Sequence, residues 1–292
     1  MDDIVIIALR GIGLGAVLAF IALGFNVTFN SSGVLNFAFG GWVTLAGIGG
    51  FLLLPADPSF PEWMMVGLLV TAATAFLVVI QGYFTLLPLE SSTDQHSWLV
   101  STLAISVVLS AAILIILGPN LMRVPTPFGV AEIAGARVPG AYVVIVVLLA
   151  LWMIGLSLFH KYTTTGLAMR AIAQDLGAAK AAGLRVRRLQ LVAFAISGAL
   201  AATIGFAAGP VLNISAYGVF PLLVDGFLAA VVGGLGNNVG SVAGGISVGL
   251  FTIFVSTYFG GEAHAIITVL VLALVLWLRP RGIFGRPAMR RV

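Results

Sequence analysis

Apolar residues fill this chain in long blocks separated by short polar punctuation. A stretch of about 20 apolar residues, rising 1.5 Å per residue as a helix, crosses a bilayer core. Residues 4–25 meet that measure, and further blocks cover about 34–54, 63–86, 97–117 and 141–159. After a polar interruption come 191–208, 219–232, 243–259 and 263–278. The pattern predicts nine apolar helical segments, of which the seventh is short and marginal. Residues 55–61, with Pro55, Pro58 and Pro61, read as a rigid loop. Residues 118–139, with Pro119, Pro125, Pro127 and Pro139, read as an ordered, non-helical external loop.

Two glycine- and asparagine-rich breaks interrupt the apolar blocks near opposite ends of the chain, Gly24 to Gly41 and Gly233 to Gly245. Inside hydrocarbon, non-helical backbone survives only where protein buries it or where it lines a cavity. A broken helix in each half points to a transporter's central site. The helix ends so exposed offer N–H groups to an anion such as a carboxylate. The candidate polar contacts are Asn26, Asn30, Asn36, Asn237 and Asn238. The opposing reading is that these asparagines and glycines glue helices together or make interfacial turns. Asp225 is a lone acid in the seventh block. Intramembrane acids are costly and often functional, so it is either a partner for a substrate amine, a proton carrier, or an interfacial residue.

Composition agrees with the pattern. The 292 residues are 60% hydrophobic and only 8% charged, against about 25% charged in soluble domains. The chain is therefore an integral membrane protein, all-α and polytopic, with about eight to nine transmembrane helices in a single domain, 1–292. Its acidic start, Asp2 and Asp3, lacks the positive charge of a cleavable signal. There is no Cys, which excludes disulfides and thiolate chemistry.

Charge then orients the chain. Residues 161–190 hold Lys161, Arg170, Lys180, Arg185, Arg187 and Arg188, six of the 14 basic residues, and the tail holds Arg279, Arg281, Arg286, Arg290 and Arg291. Basic loops mark the cytoplasmic side, so the high pI is no sign of nucleic-acid binding. Five crossings before the loop put the N-terminus outside, and four after it return the C-terminus to the cytoplasm. The neutral loop from Glu90 to His96 is the one that fits poorly. Within the basic loop, Gly166 to Ala173 reads as a first short helix. Asp175 is placed to cap a second, Ala-rich one through Ala182, and Gly183 stands where a C-cap glycine belongs. Such a surface suits docking of another protein or simple contact with anionic lipid headgroups.

Catalytic constellations are missing. There is no HExxH and no G-x-S-x-G; His96, His160 and His264 are scattered; Lys161 and Lys180 do not follow a P-loop glycine pattern. The chain reads as no enzyme, with no catalytic residue and no metal site.

Taken together, the sequence resembles the permease subunits of ABC importers for branched-chain amino acids and their amide and urea relatives, over nearly its whole length. Four blocks carry the likeness: Ala22 to Phe25 with Gly33 to Gly40; Thr165 to Asp175 with Ala178, Ala179, Gly183 and Leu184; Ala229 to Asn237 with Gly240, Gly244 and Gly245; and Arg279 to Gly285. The resemblance implies an inner-membrane importer subunit with broken helices near its centre. It makes the Ala-rich helix a cytoplasmic coupling helix, with Arg170, Asp175, Ala178, Ala179, Gly183 and Leu184 facing an ATPase subunit. The implied partners are a second, related permease chain, two P-loop ATPase subunits that bind ATP and Mg, and an external periplasmic binding protein. This chain would hold no cofactor itself. The substrate pathway falls to Asn26, Asn30, Asn36, Phe39, Asn237, Asn238 and Asp225. The family commonly has His where Phe39 stands, often an acid or other residue at Gly41, and a basic or neutral residue at Asp225. Those departures leave the substrate open between a branched-chain amino acid and a larger apolar or aromatic solute. Two other classes compete: an ion-coupled secondary transporter titrating Asp225, and a non-transporting scaffold or membrane enzyme.

Overall fold

The computed structural model describes residues 2–91, 97–133, 135–212 and 214–278. His96, Asn213 and the basic tail from Arg279 onward lie outside the described residues. Among the described residues, eleven helices and one small hairpin follow in order. They are α1 (Asp2–Ser32), α2 (Phe39–Leu53), α3 (Phe60–Ser91), α4 (Ser97–Leu117), β1 (Val130–Ile133), β2 (Ala136–Pro139), α5 (Gly140–Tyr162), α6 (Thr164–Gln174), α7 (Leu176–Ala181), α8 (Val186–Ala208), α9 (Val219–Gly233), α10 (Asn238–Phe259) and α11 (Gly261–Leu278). The protein is a polytopic all-α membrane protein. Six of these helices, α1, α3, α4, α5, α8 and α10, are long and apolar enough to cross a membrane. Helices α2, α9 and α11 carry shorter apolar stretches. The nine apolar blocks of the sequence therefore all become helices, and α2 is as short as the marginal seventh block.

The bundle has a centre and a rim. The most apolar stretch of α8 is 67% buried and that of α1 half buried, whereas that of α4 is only 11% buried. In lipid the apolar environment gives helices little hydrophobic reason to associate, so close van der Waals packing and interhelical hydrogen bonds hold them. Small residues serve that packing. A methyl group on Gly245 or Gly249 of α10 would collide with the backbone of Ala19 or Gly15 on α1. On the other side of α1, the Ser197 hydroxyl of α8 donates to the Gly24 carbonyl at 3.2 Å.

Both breaks are much shorter than the sequence suggests. Helix α1 does not stop at Phe25; it runs on through Asn26, Thr28, Asn30 and Ser32. Two of its polar side chains bond back to the helix itself: Thr28 Oγ1 donates to the Phe25 carbonyl at 3.0 Å and Ser32 Oγ to the Thr28 carbonyl at 2.7 Å. The helix ends at Gly33 with φ +70, and only residues 33–38 lie between α1 and α2. Likewise α10 begins at Asn238, so Gly240 to Gly245 are helical packing surface and the second break is 234–237. Helix α8 also starts five residues before the predicted sixth span, at Val186.

The proline-rich loop is ordered and non-helical as expected, and it contains a hairpin. β1 and β2 pair antiparallel, with Val130 opposite Pro139. Pro139 closes the strand just before α5, where its missing N–H is not needed. A separate bridge ties Met122 to Ile214 through hydrogen bonds of 2.9 and 3.2 Å, anchoring this loop to the segment between α8 and α9.

Candidate functional site

The first break is sealed by a side-chain network that crosses three elements. Asn36 is fully buried. Its Oδ1 accepts from Gln81 Nε2 of α3 at 2.7 Å and from the Ala38 N–H at 3.1 Å. Its Nδ2 donates to Gln81 Oε1 at 3.3 Å, and the same oxygen accepts from the Trp42 indole of α2 at 2.5 Å. Phe39, the first residue of α2, packs its ring against Gly24, where any side chain would clash. Phe25, Phe37 and Phe227 complete an aromatic cluster around it, with ring centroids about 6 Å apart, as favourable edge and tilted contacts require.

The second break is held by α1. Asn26, also fully buried, accepts the Gly236 N–H at 2.9 Å and donates to the Asn237 carbonyl at 3.2 Å and to Ser241 Oγ. Asn30, one turn further on, donates to the Gly236 carbonyl at 3.3 Å. Gly236 takes φ +90 to present both groups, a conformation only glycine adopts without cost. Asn237 is the N-cap of α10: its Oδ1 accepts from Val239 and Gly240 N–H, each at 3.1 Å. The expectation that this helix end offers free N–H groups to an anion is therefore corrected, because Asn237 already occupies two of them.

A cavity of about 370 Å³ opens beside this second break. Asn30, Lys161, Arg170, Gln174, Asn237 and Asn238 supply much of its polar wall. Val27, Leu156 and Met169, all nearly fully buried, supply an apolar part. The C-terminal ends of α1 and α5, helix α6 and the start of α10 thus meet at one end of the bundle. The other end of α10 meets the start of α1, where Ile7, Arg10, Ser256 and Tyr258 border a separate groove. The N-terminal turns of α1 and the basic loop are therefore at opposite ends.

The structure distributes the pathway candidates unevenly. Asn26, Asn30 and Asn237 gather at the second break, Asn238 lines the cavity, and Asn36 and Phe39 belong to the first break. Asp225 lies inside α9 and is half-buried; it is not among the residues lining the cavity. Its neighbour Gly226 is pressed against Ile21 of α1. The sequence reading overlooked Gln81, Trp42 and Ser241. Gln81 had a signal: a lone amide inside the apolar run of α3.

In the basic loop both local expectations hold. Asp175 Oδ1 accepts the Ala178 N–H at 2.9 Å and caps α7, while Gly183 takes φ +77 after its end. Thr163 caps α6 in the same way, accepting from Gly166 N–H at 2.9 Å. Ala179 is buried with Ile172 of α6 and Val186 of α8, and Leu184 packs against them. Arg170, Asp175, Ala178 and Gly183 are exposed. Arg187 stacks on the Tyr83 ring of α3, 4.8 Å from its centroid. The outcome is a short, capped, exposed helix riveted by one alanine to α6 and α8.

Comparison with known proteins converges on one group. Residues 7–277 match the family described as branched-chain amino acid transport system / permease component. The chain is 28% identical to the high-affinity branched-chain amino acid transport system permease protein LivH of Escherichia coli, over 97% of this chain and 96% of that protein. It is equally similar, with the same coverage, to the permease protein BraD of Pseudomonas aeruginosa. A probable branched-chain amino acid transport permease of Methanocaldococcus jannaschii is 26% identical over 92% of this chain and 88% of its own length. These relatives are permease components of transport systems, not enzymes.

Proposed function

The chain belongs to the family of branched-chain amino acid transport permease components, and from that premise we propose that it is the permease subunit of an ABC importer in the bacterial inner membrane. It forms the translocation pathway with a second, related permease chain. Two P-loop ATPase subunits drive it, binding ATP and Mg, and an external binding protein delivers the solute. The solute is a small organic molecule of the branched-chain or hydrophobic amino-acid class, or a related carboxylate or amide. In this reading the basic-loop end faces the cytoplasm, the N-terminus lies outside, and the C-terminal tail returns to the cytoplasm.

The observation that carries this reading is the geometry of α6 and α7. Helix α7 exposes every residue except Ala179, is capped by Asp175, and is joined through Ala179 and Val186 to the central helix α8. A short, capped and exposed helix of this kind fits a groove on a partner, a helix-in-groove contact. Movement of that groove would be passed to α8 and, through α6, to the end of α1. Arg170, Asp175, Ala178, Gly183 and Leu184 belong to that contact or its support.

The test is reconstitution. Affinity purification of this chain from its membrane should bring with it a P-loop ATPase and a second permease, identified by mass spectrometry. In proteoliposomes, uptake should follow ATP and ignore proton and sodium gradients. Gly183→Leu and Ala179→Leu should leave ATP hydrolysis running while uptake falls. Full uptake in both variants, or uptake by the isolated chain driven by an ion gradient, would overturn the reading.

A further inference from the structure

Helices α5 and α8 leave an open groove of about 400 Å³ between them, bordered by Leu148, Trp152, Gly155 and Phe159 of α5 and by Val192 and Ile196 of α8. Its walls are almost wholly hydrocarbon. The one polar side chain among them, the Trp152 indole, is committed to Thr203 Oγ1 at 3.2 Å. Gly155 marks the groove as space left open. Among the glycines described within the six spanning helices, it alone would bring an added methyl within 4 Å of no neighbouring atom. Glycine costs a helix interior about 1 kcal/mol against alanine, and no close contact inside this chain accounts for it here.

From Leu148 to Phe159 the groove follows α5 for about 16 Å, roughly half of a bilayer core of about 30 Å. It ends toward the basic loop, and there the chemistry changes. One turn beyond Phe159 stands the exposed Tyr162, with the Lys161 ammonium 5.0 Å from its ring centre. One turn before Val192, on the same face of α8, stands Arg188. It is exposed and makes no ion pair among the described residues. Arg185, exposed as well, opens α8 without a side-chain cap, so the positive end of the helix dipole adds to the two guanidinium groups.

A hydrocarbon slot one leaflet deep, with cations and a tyrosine at its mouth, matches a phospholipid that bears a negative headgroup. A spanning helix of a partner chain needs a furrow through both leaflets and would bury the two arginines, at a desolvation cost. A free anion has no use for the slot. From this geometry we infer that the groove binds an acyl chain of an anionic phospholipid from the leaflet on the basic-loop side, with Arg185 and Arg188 holding its phosphate. The absent side chain of Gly155 gives the acyl chain room beside Trp152. Helix α5 leads into the basic loop and α8 leads out of it, so the bound lipid ties the entry of the loop to its exit. This holds whatever solute the chain carries.

The test places the full chain in nanodiscs containing phosphatidylglycerol with a photoreactive diazirine in one acyl chain, and maps the cross-links by mass spectrometry. Labelling should concentrate on residues 148–159 and 192–196. It should exceed the level on the outward face of α4, where the exposed Val107 and Ile115 report bulk lipid. Zwitterionic phosphatidylcholine with the same photoreactive chain should label the groove about fivefold less, the effect of one basic residue on an anionic headgroup. Replacing both arginines, Arg185→Gln with Arg188→Gln, should remove that preference. Gly155→Leu should abolish groove labelling by both lipids. Leucine enters open space there and favours helix, and unchanged labelling of α4 shows that the variant is folded. Glycerol phosphate, which has the anionic group without the chain, should not compete. A groove labelled no more than α4, equal labelling by the two lipids, a preference that survives loss of both arginines, or full labelling in Gly155→Leu would overturn the assignment. So would competition by glycerol phosphate, or loss of the label in the complete complex, which would give the groove to the second permease chain.

Discussion

The two breaks use the same residue types and reach opposite results. At the first, residues 33–38 are closed by amide pairing between Asn36 and Gln81 with the Trp42 indole added. Asn36, Gln81 and Trp42 are all buried, and an aromatic cluster shuts them off. At the second, residues 234–237 are held by Asn26 and Asn30 of α1. Its other side borders the cavity, which Asn237 and Asn238 line. Irregular backbone in a membrane must be either buried or turned to a cavity, and this chain shows one of each. The difference teaches that a Gly–Asn break is not a pathway by composition. What faces its open side decides.

The most disruptive way to break the contrast is Asn26→Leu. It takes the Asn26 partner from the Gly236 N–H and one donor each from the Asn237 carbonyl and Ser241 Oγ, and should cost about 3 kcal/mol. Thermal unfolding in detergent should show a large drop in Tm, and a variant as stable as the parent would mean the second break is held by something else. Next comes Gln81→Leu, which orphans the Asn36 Nδ2 and the Trp42 N–H and should cost about 2 kcal/mol. The pair Asn36→Leu with Gln81→Leu should cost less than the sum of the singles, since partners removed together leave fewer unmet groups. Strict additivity in that double-mutant cycle would show that the two amides do not act as one seal.

Asp175→Ala offers a reference in water. It removes the α7 cap and should cost about 1 kcal/mol, with amide exchange rising in residues 176–181 while both breaks stay protected. Spread of that exchange into α1 would show the loop and the second break to be one cooperative unit. Smallest of all, Asn30→Leu removes one hydrogen bond of 3.3 Å at the half-exposed margin and should cost about 0.5 kcal/mol. A loss as large as that of Asn26 would reverse the assigned order of the two asparagines.

What the sequence determined by itself is what local physics controls. Apolar length set the nine helical blocks, because a span must fill the hydrocarbon thickness. Asp175 and Gly183 were legible as caps because a cap involves only its own turn. The proline loop was legible as non-helical, though not as a hairpin, since strand pairing depends on what the two arms face. Tertiary structure alone decided the rest. Asn26 meets partners more than two hundred positions away, at Gly236, Asn237 and Ser241, and no local rule links them. With those partners and the back-bonds of Thr28 and Ser32 in place, the polar stretch 26–32 had no reason to leave the helix. Gly240 to Gly245 looked like a break because glycine lowers helix propensity. In the folded chain they are the thin face on which α10 approaches α1 and α9. Close helix contact in lipid needs the absence of side chains, and only the neighbour, not the sequence around a glycine, tells which purpose it serves.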